Sequence, residues 1–364
     1  DNIKIKRLTG DDTPRIDYTD GGCPVLLTEP QSTNLIIQSN DFSSSSWTKT
    51  GSGVVEGFVS PDGSSNAFKL VEDTSTSSHK MSSPIITISA GGTTTYSLYV
   101  KPEGRTKIGI RESQHTGKSV SFNLSTKSVI SNTGLTANIV ESTNGWMRID
   151  YSQLSGGSQE RFDLILLDDA YVSGSIASYS YAGDGVSGVS IYGTQFEELS
   201  YATSYIPTYG AVRTRLQDSV TGAGTSTDFN SEEGVLFVEI STLTNEAVNK
   251  RIALSDGTNN NRIVITLNGL NVSTLVRVNN VTEASTTSFT LGDITDLNKI
   301  AFKYKENDFA LWVNGVEVRT DNSGLTFPIN TLTELNLTDG GAGSNLFGKT
   351  SQVQVFKTAL SDFE

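Results

Sequence analysis

The chain has 364 residues, with 27 Lys and Arg against 40 Asp and Glu and a formal net charge of −13. That balance opposes nucleic-acid binding, which needs a cationic surface to release counterions. No apolar run approaches the roughly 18 residues of a spanning helix, so neither nucleic acid nor membrane insertion is expected. Cys23 is the only cysteine, which excludes an intrachain disulfide and a thiolate zinc cluster, and His79 and His115 are the only histidines.

Ser, Thr and Asn are abundant and compete with the helical backbone, while 34 Gly and only 8 Pro suit short strands joined by tight turns. The start, DNIKIKRL, has neither an initiator Met nor an apolar leader. Next comes PVLLTEPQSTNLI (24–36), apolar on both sides of Glu29-Pro30. Proline fits a strand entry or an edge, where no ladder N–H is required, so this stretch reads as a joint. Strand-like runs then follow at 95–101 (TYSLYVK), 107–111 (KIGIR), 119–124 (SVSFNL), 145–152 (GWMRIDYS) and 161–167 (RFDLILL), with turns at 61–65 and 132–134. A Gly-rich stretch near 207–225 breaks the alternation. After it come GVLFVEIS, RIVITLN, IAFKYKEN, FALWVNGVEV and SQVQVFK. Asn314-Gly315 between alternating residues predicts a type I′ hairpin. The last four residues, SDFE, carry the Ser-x-x-Glu pattern of a helix start, so the chain is expected to be a piece of a longer one. Short strands with turn signals predict an all-β protein of sandwich, jelly-roll or barrel type.

Strand parity picks out the candidate binding residues. Tyr96, Leu98 and Val100 share one face, leaving Tyr99 and Lys101 on the other; Ile108 and Ile110 leave Lys107 and Arg111 outward. The stretch 101–118 carries Lys101, Arg105, Lys107, Arg111 and Lys118 against Glu103 and Glu112, a basic patch on an acidic chain. Guanidinium forks match carboxylate or sulfate, and tyrosine offers a sugar an apolar face with a polar tip. A solvated sheet face with scattered charge is the alternative. Trp146 and Arg148 share a parity, so Trp146 is read as stacking on a sugar ring or as packing. Trp47 and Trp312 are read as core. No nucleophile elbow surrounds either histidine, and no Glu-x-Asp-x-x-Glu strand occurs, so catalysis is not expected.

The segment PRIDYTDGGCPVLLTEPQSTNLIIQSNDFSSSSW (14–47) resembles a joint of bacteriophage tail and fibre proteins. SPDGSSNAFKL (60–70), YSLYVK, GWMRIDYS, YGTQFEE (192–198) and ATSYIPT (202–208) follow in that family's order. The resemblance implies a jelly-roll carbohydrate-binding module. EGVLFVEIS (233–241), KIAFKYKENDFALWVNGVEV (299–318) and VQVFKTALSDFE (353–364) resemble a concanavalin A-like, laminin-G-type sandwich. Together they imply an N-terminal extended segment or joint at 1–33, a jelly roll at 34–207, a linker at 208–218 and a second sandwich at 219–364. They also imply a structural calcium near the first and last strands, for which Asn40, Asp41 and Glu197 supply oxygens.

The function expected from this is non-catalytic binding of an extracellular or cell-surface polysaccharide by a virion fibre or adhesin. It would be located on a virion or outside the cell, with a homotrimer in the parent assembly. The alternatives are the accessory region of a polysaccharide-degrading lyase or glycosidase, and a structural spacer. IRESQH (110–115) loosely resembles the Arg, Gln and His clusters of jelly-roll alginate lyases, but the order and the companion Tyr-rich strand are absent.

Overall fold

The computed structural model describes residues 14–18, 23–114, 118–341 and 343–361. The expectation placed on His115 falls outside them, as does all but the first residue of the closing Ser-x-x-Glu turn. Among the described residues the only helical element is the 3-10 turn Thr143–Gly145, and every paired strand runs antiparallel to its neighbour. The protein is all-β and builds two β-sandwiches, as its alternating runs predict. They form two compact units, Ser32–Arg215 and Asp1–Gln31 with Leu216–Glu364.

The Ser32–Arg215 unit has two six-stranded sheets. One runs in the order Thr136–Glu141, Met147–Leu154, Thr93–Glu103, Gly188–Glu197, Ala67–Glu72, Ser52–Phe58. The other runs Ser128–Thr133, Ser119–Asn123, Lys107–Glu112, Phe162–Leu167, Lys80–Ser82, Thr48–Thr50. Period-2 alternation turns Tyr96, Leu98 and Val100 of the first sheet onto Ile108, Ile110 and Phe162 of the second, in one buried core. Tyr96 and Phe162 meet with ring centroids 3.8 Å apart. Trp47 packs into the same core and its indole N–H donates to the Gln38 carbonyl at 3.1 Å.

Two carboxylates are buried at one end of this sandwich, Glu112 and Glu160. Gln153 Nε2 donates to Glu160 Oε2 at 2.7 Å. Burial, and then the neighbouring Glu112 charge, push the Glu160 pKa up from 4.5 to about 7. The native state therefore holds a proton there that the unfolded chain has released. This contribution to stability is fully present below about pH 4.5 and is lost as pH rises through 7. Urea unfolding is expected to show a loss on the order of 2 kcal/mol between pH 5 and pH 8 that Glu160→Gln abolishes. Equal pH slopes for the two proteins would contradict it.

The other unit packs a seven-stranded sheet on a six-stranded one. The first runs Arg15–Asp17, Val25–Thr28, Gly348–Phe356, Glu233–Thr242, Asn298–Lys305, Phe309–Val313, Val316–Asp321. Leu236, Val238, Ile300, Phe302 and Leu311 from this sheet meet Ile252, Leu254, Ile263, Ile265 and Val276 from the other. The Asn-Gly hairpin forms as predicted: Asn314 (φ 49°) and Gly315 (φ 85°) both take the left-handed conformation that a type I′ turn requires.

Within 1–33, expected as an extended joint, the described residues include paired strands. Val25–Thr28 pairs with Gly348–Phe356 through Leu26↔Thr350 and Leu27↔Lys349, and Arg15–Asp17 pairs with Val25–Thr28 in turn. Thr28 Oγ1 donates to the Leu346 carbonyl at 2.6 Å. The apolar run before Glu29 is thus two steps from the centre strand of the second sandwich, and Leu26 packs against its core. The 208–218 stretch is not a free linker either, because Arg213–Arg215 pairs with Ser32–Asn34. Glu29 and Asp218 are tied to each other: Glu29 N–H donates to Asp218 Oδ2 at 2.7 Å, and Asp218 N–H donates to the Glu29 carbonyl at 2.9 Å. Arg15 forms ion pairs with both carboxylates. In chain order the first sandwich is an insertion into the second.

Candidate functional site

In the Ser32–Arg215 unit, the outward face of the sheet containing Thr93–Glu103 gathers aromatic and basic side chains. Register places Tyr99 directly between Arg148 on Met147–Leu154 and Tyr192 on Gly188–Glu197. The Arg148 guanidinium carbon lies 5.4 Å from the Tyr99 ring centroid. Tyr99 and Tyr192 are 6.2 Å apart, and Tyr192 and Tyr205 are 5.5 Å apart, centroid to centroid. All three tyrosines are half-buried, and Tyr209 beyond them is 81% exposed. The adjacent row of the sheet is Lys101–Ser190–Lys69, so two ammonium groups share the face with the rings.

Gly193 makes this grouping possible. Its φ of +60° belongs to the left-handed region, and the register between Thr93–Glu103 and Gly188–Glu197 shifts by a bulge at this point. A Cβ there would sit 3.2 Å from Tyr99 Cδ2 and 3.3 Å from Tyr205 Cδ1. Glycine therefore satisfies both the backbone and the close approach of the rings.

A polar frame fixes the rings. Tyr192 donates its hydroxyl to Asp62 Oδ2 at 3.0 Å, and the Tyr205 and Ser39 hydroxyls are 2.7 Å apart. Arg148 Nη2 donates to Ser97 Oγ at 3.0 Å and to the Thr203 carbonyl. The Ser60 hydroxyl, then the Ser64 N–H, hold the Asp62 pKa down at about 2. Burial, then the bond to Asp62, push the Tyr192 phenol well above its usual value, and burial does the same for Tyr205. At neutral pH Tyr192, bonded to the ionised Asp62, and Tyr205, bonded to Ser39, are neutral phenols, and Arg148, Lys101 and Lys69 stand on the same face. Such a surface offers sugar C–H faces flat apolar rings and offers carboxylate or sulfate groups charge-assisted donors.

Tyr99, Lys101 and Arg148 are thus brought together, whereas Lys107 and Arg111 are not. Both sit on Lys107–Glu112, in the opposite sheet, and the outer faces of the two sheets point away from each other. That second face is covered. Gly109 leaves room for Ile176, whose Cδ1 would lie 2.7 Å from a Cβ at that position, and Ile176 clusters with Ile165, Leu167 and Tyr171. Lys107 Nζ donates to the Asp169 and Tyr171 carbonyls of the covering segment at 2.9 and 2.7 Å. Arg111 lies 4.0 Å from Asp163, which also pairs with Lys80.

Trp146 is buried, and its indole N–H donates to the Val59 carbonyl at 3.2 Å. Asn144 and Gly145 hold positive φ in the turn before it, so strand parity does not extend back to this residue. Trp146 packs; it does not stack on a ligand.

The three oxygen donors expected around calcium each accept hydrogen bonds within the chain. The buried Glu197 carboxylate accepts from Ser32 Oγ at 2.5 Å and from the Thr203 N–H and hydroxyl. Asn40 Oδ1 accepts from Gly193 N–H at 3.2 Å, and Asp41 accepts from Ser43 and Ser44 in its own turn. Among the described residues no three His, Cys, Asp or Glu side chains group as a metal site. These oxygens tie chain segments together.

Tyr192, Tyr205 and Lys69 were not singled out from the sequence. Outward parity opposite Ile191 was the available signal for Tyr192, as was position between Phe68 and Leu70 for Lys69. Tyr205 lies outside any strand and had no such signal.

No family model and no curated protein matches the chain. Among solved structures, it is similar to the CBM40 module of Ruminococcus gnavus IT-sialidase bound to α2,3 sialyllactose, at 15% identity and a TM-score of 0.33, over 40% of this chain and 92% of that one. It is also similar to mouse laminin α1 chain domains LG4-5, at 9% identity and a TM-score of 0.26, over 79% and 89% of the two chains. Sheep galectin-11 in complex with glycerol matches at 11% identity and a TM-score of 0.25, over 38% and 95%.

Proposed function

We propose that the chain binds an extracellular, anionic polysaccharide without cleaving it, as part of a virion fibre or similar surface adhesin. One observation carries the binding reading: Tyr99, Tyr192 and Tyr205 lie side by side on one outward sheet face with Arg148, Lys101 and Lys69. At physiological salt, charges beyond about 8 Å are screened, so these cations outweigh the −13 of the whole chain at the site. The fibre context is supported by the joint motif at 14–47 and the order of the motifs after it. Repetition of a weak site in a homotrimeric parent would raise avidity without new contacts.

A glycan array on the chain identifies the ligand, and variants then test the site. Lys69→Ala with Lys101→Ala is expected to weaken binding of the best array glycan about fivefold and to flatten its salt dependence. Tyr99→Ala is expected to cost about three- to tenfold. Unchanged affinity in both variants would place the site elsewhere. Release of reducing ends or unsaturated sugars from the bound glycan would refute the non-catalytic part.

A further inference from the structure

The second sandwich carries its own groove. On its seven-stranded sheet, Leu236, Val238, Ile300, Phe302, Leu311 and Val313 face the core, so the residues alternating with them face outward. Register aligns four of those across neighbouring strands in one row, Gln354–Phe237–Ala301–Trp312. The small Ala301 lies between the two rings, and Phe356 and Leu360 also line the groove. The groove has a volume of about 380 Å³. Trp312, expected to be core, is half-buried and lines it, because it alternates with Leu311 and Val313.

The lining is mixed in a way that narrows the occupant. Gln352 and Gln354 supply amides, and Lys299 and Lys303 supply ammonium groups beside the rings. Along this strand Lys303 pairs with Asp308 at 2.9 Å and Lys305 with Glu233 at 3.0 Å, which leaves the exposed Lys299, across from Glu239, as the groove ammonium for a ligand carboxylate. The strands under the groove are paired on both sides, so an added peptide strand finds no free ladder there. Flat rings with interleaved amide and ammonium donors match a sugar, whose faces are C–H and whose edges are hydroxyl or carboxylate.

We infer that this groove is a second saccharide site, taking a carboxylate-bearing oligosaccharide across Trp312 and Phe237. It stands on different residues and a different unit from the tyrosine face.

Tryptophan emission reports on this groove selectively, because Trp47 and Trp146 are only 2% and 1% exposed. In the full chain, an oligogalacturonate hexamer is expected to change the emission saturably, with cellohexaose binding at least fivefold more weakly. Trp312→Phe should abolish the emission change, and Lys299→Ala, which keeps the reporter and an exposed position, should weaken binding about fivefold. Because the emission change belongs to Trp312, its loss in Trp312→Phe separates this site from the tyrosine face. No saturable response to the hexauronate would overturn the proposal. So would equal binding of cellohexaose, or an emission change that follows chain concentration with dimers in light scattering.

Discussion

Replacing Asn34 by alanine is expected to destabilise the Ser32–Arg215 unit by about 3–5 kcal/mol, which is a large share of the total stability of a domain. Asn34 is fully buried and uses its whole amide. Nδ2 donates to the carbonyls of Thr194 at 3.1 Å and Ile206 at 2.9 Å, while Oδ1 accepts the N–H groups of Ile36 and Phe196, each at 3.1 Å. The side chain therefore joins three stretches that are far apart in sequence. Truncation removes the side-chain partner of four buried backbone groups. Asn34→Asp keeps the acceptor but loses both donors and adds a buried charge, so it should be at least as damaging. Urea unfolding measures both variants. A cost below 1 kcal/mol for Asn34→Ala would show that the amide is not the clamp described here.

Glu72→Ala should cost about the same, 3–5 kcal/mol, by a different route. The buried Glu72 carboxylate accepts Arg105 Nε at 2.9 Å and Nη2 at 2.5 Å, the Tyr181 hydroxyl at 2.6 Å and the Asp184 N–H at 2.9 Å. Burial alone would raise its pKa; the bonds from Arg105, Tyr181 and Asp184 outweigh that and hold it below the ordinary glutamate value. Without Glu72, the Arg105 guanidinium, itself only 15% exposed, faces Tyr181 with its nearest remaining carboxylate, Asp184, at 3.8 Å. A largely buried charge left with only this longer contact to a half-exposed carboxylate is the expensive outcome, so the double variant Glu72→Gln with Arg105→Gln should be more stable than Glu72→Ala alone. The reverse order of stability would refute this account. His79 belongs to the same region, buried against Tyr181 at 4.5 Å, with its ring nitrogens facing the Gly51 and Tyr181 carbonyls. It holds turns together.

The Asn34 and Glu197 contacts also give a physical reading of the joint motif. In QSTNLI, Ser32 and Asn34 point into the first sandwich, to Glu197 and to the 194–196 and 206 backbone. Thr208 Oγ1, in SYIPT, donates to the Ile36 carbonyl at 2.6 Å, and Ser39 N–H donates back to Thr208 Oγ1 at 3.0 Å. The polar residues of the two motifs close the sandwich where the chain enters and leaves it.

Strand positions, inward and outward parity and the Asn314-Gly315 hairpin were legible from the residues, because each depends on a few neighbours in the chain. Tyr96, Leu98, Val100, Ile108 and Ile110 all face the core as their alternation requires. Which sheet a strand joins was not legible, since ladder partners are chosen by packing across the whole chain. That choice put Tyr99 and Lys107 on opposite faces and drew Val25–Thr28 onto Gly348–Phe356. Local parity also says nothing of what later covers a face, as the segment carrying Tyr171 and Ile176 covers Lys107. The sequence by itself thus determined an all-β chain of two alternating sets of strands and, in strands such as Thr93–Glu103 and Lys107–Glu112, the side that turns to the core. Only the tertiary structure decided which outward side chains meet, because hydrogen-bond ladders and burial act between residues that the chain order keeps apart.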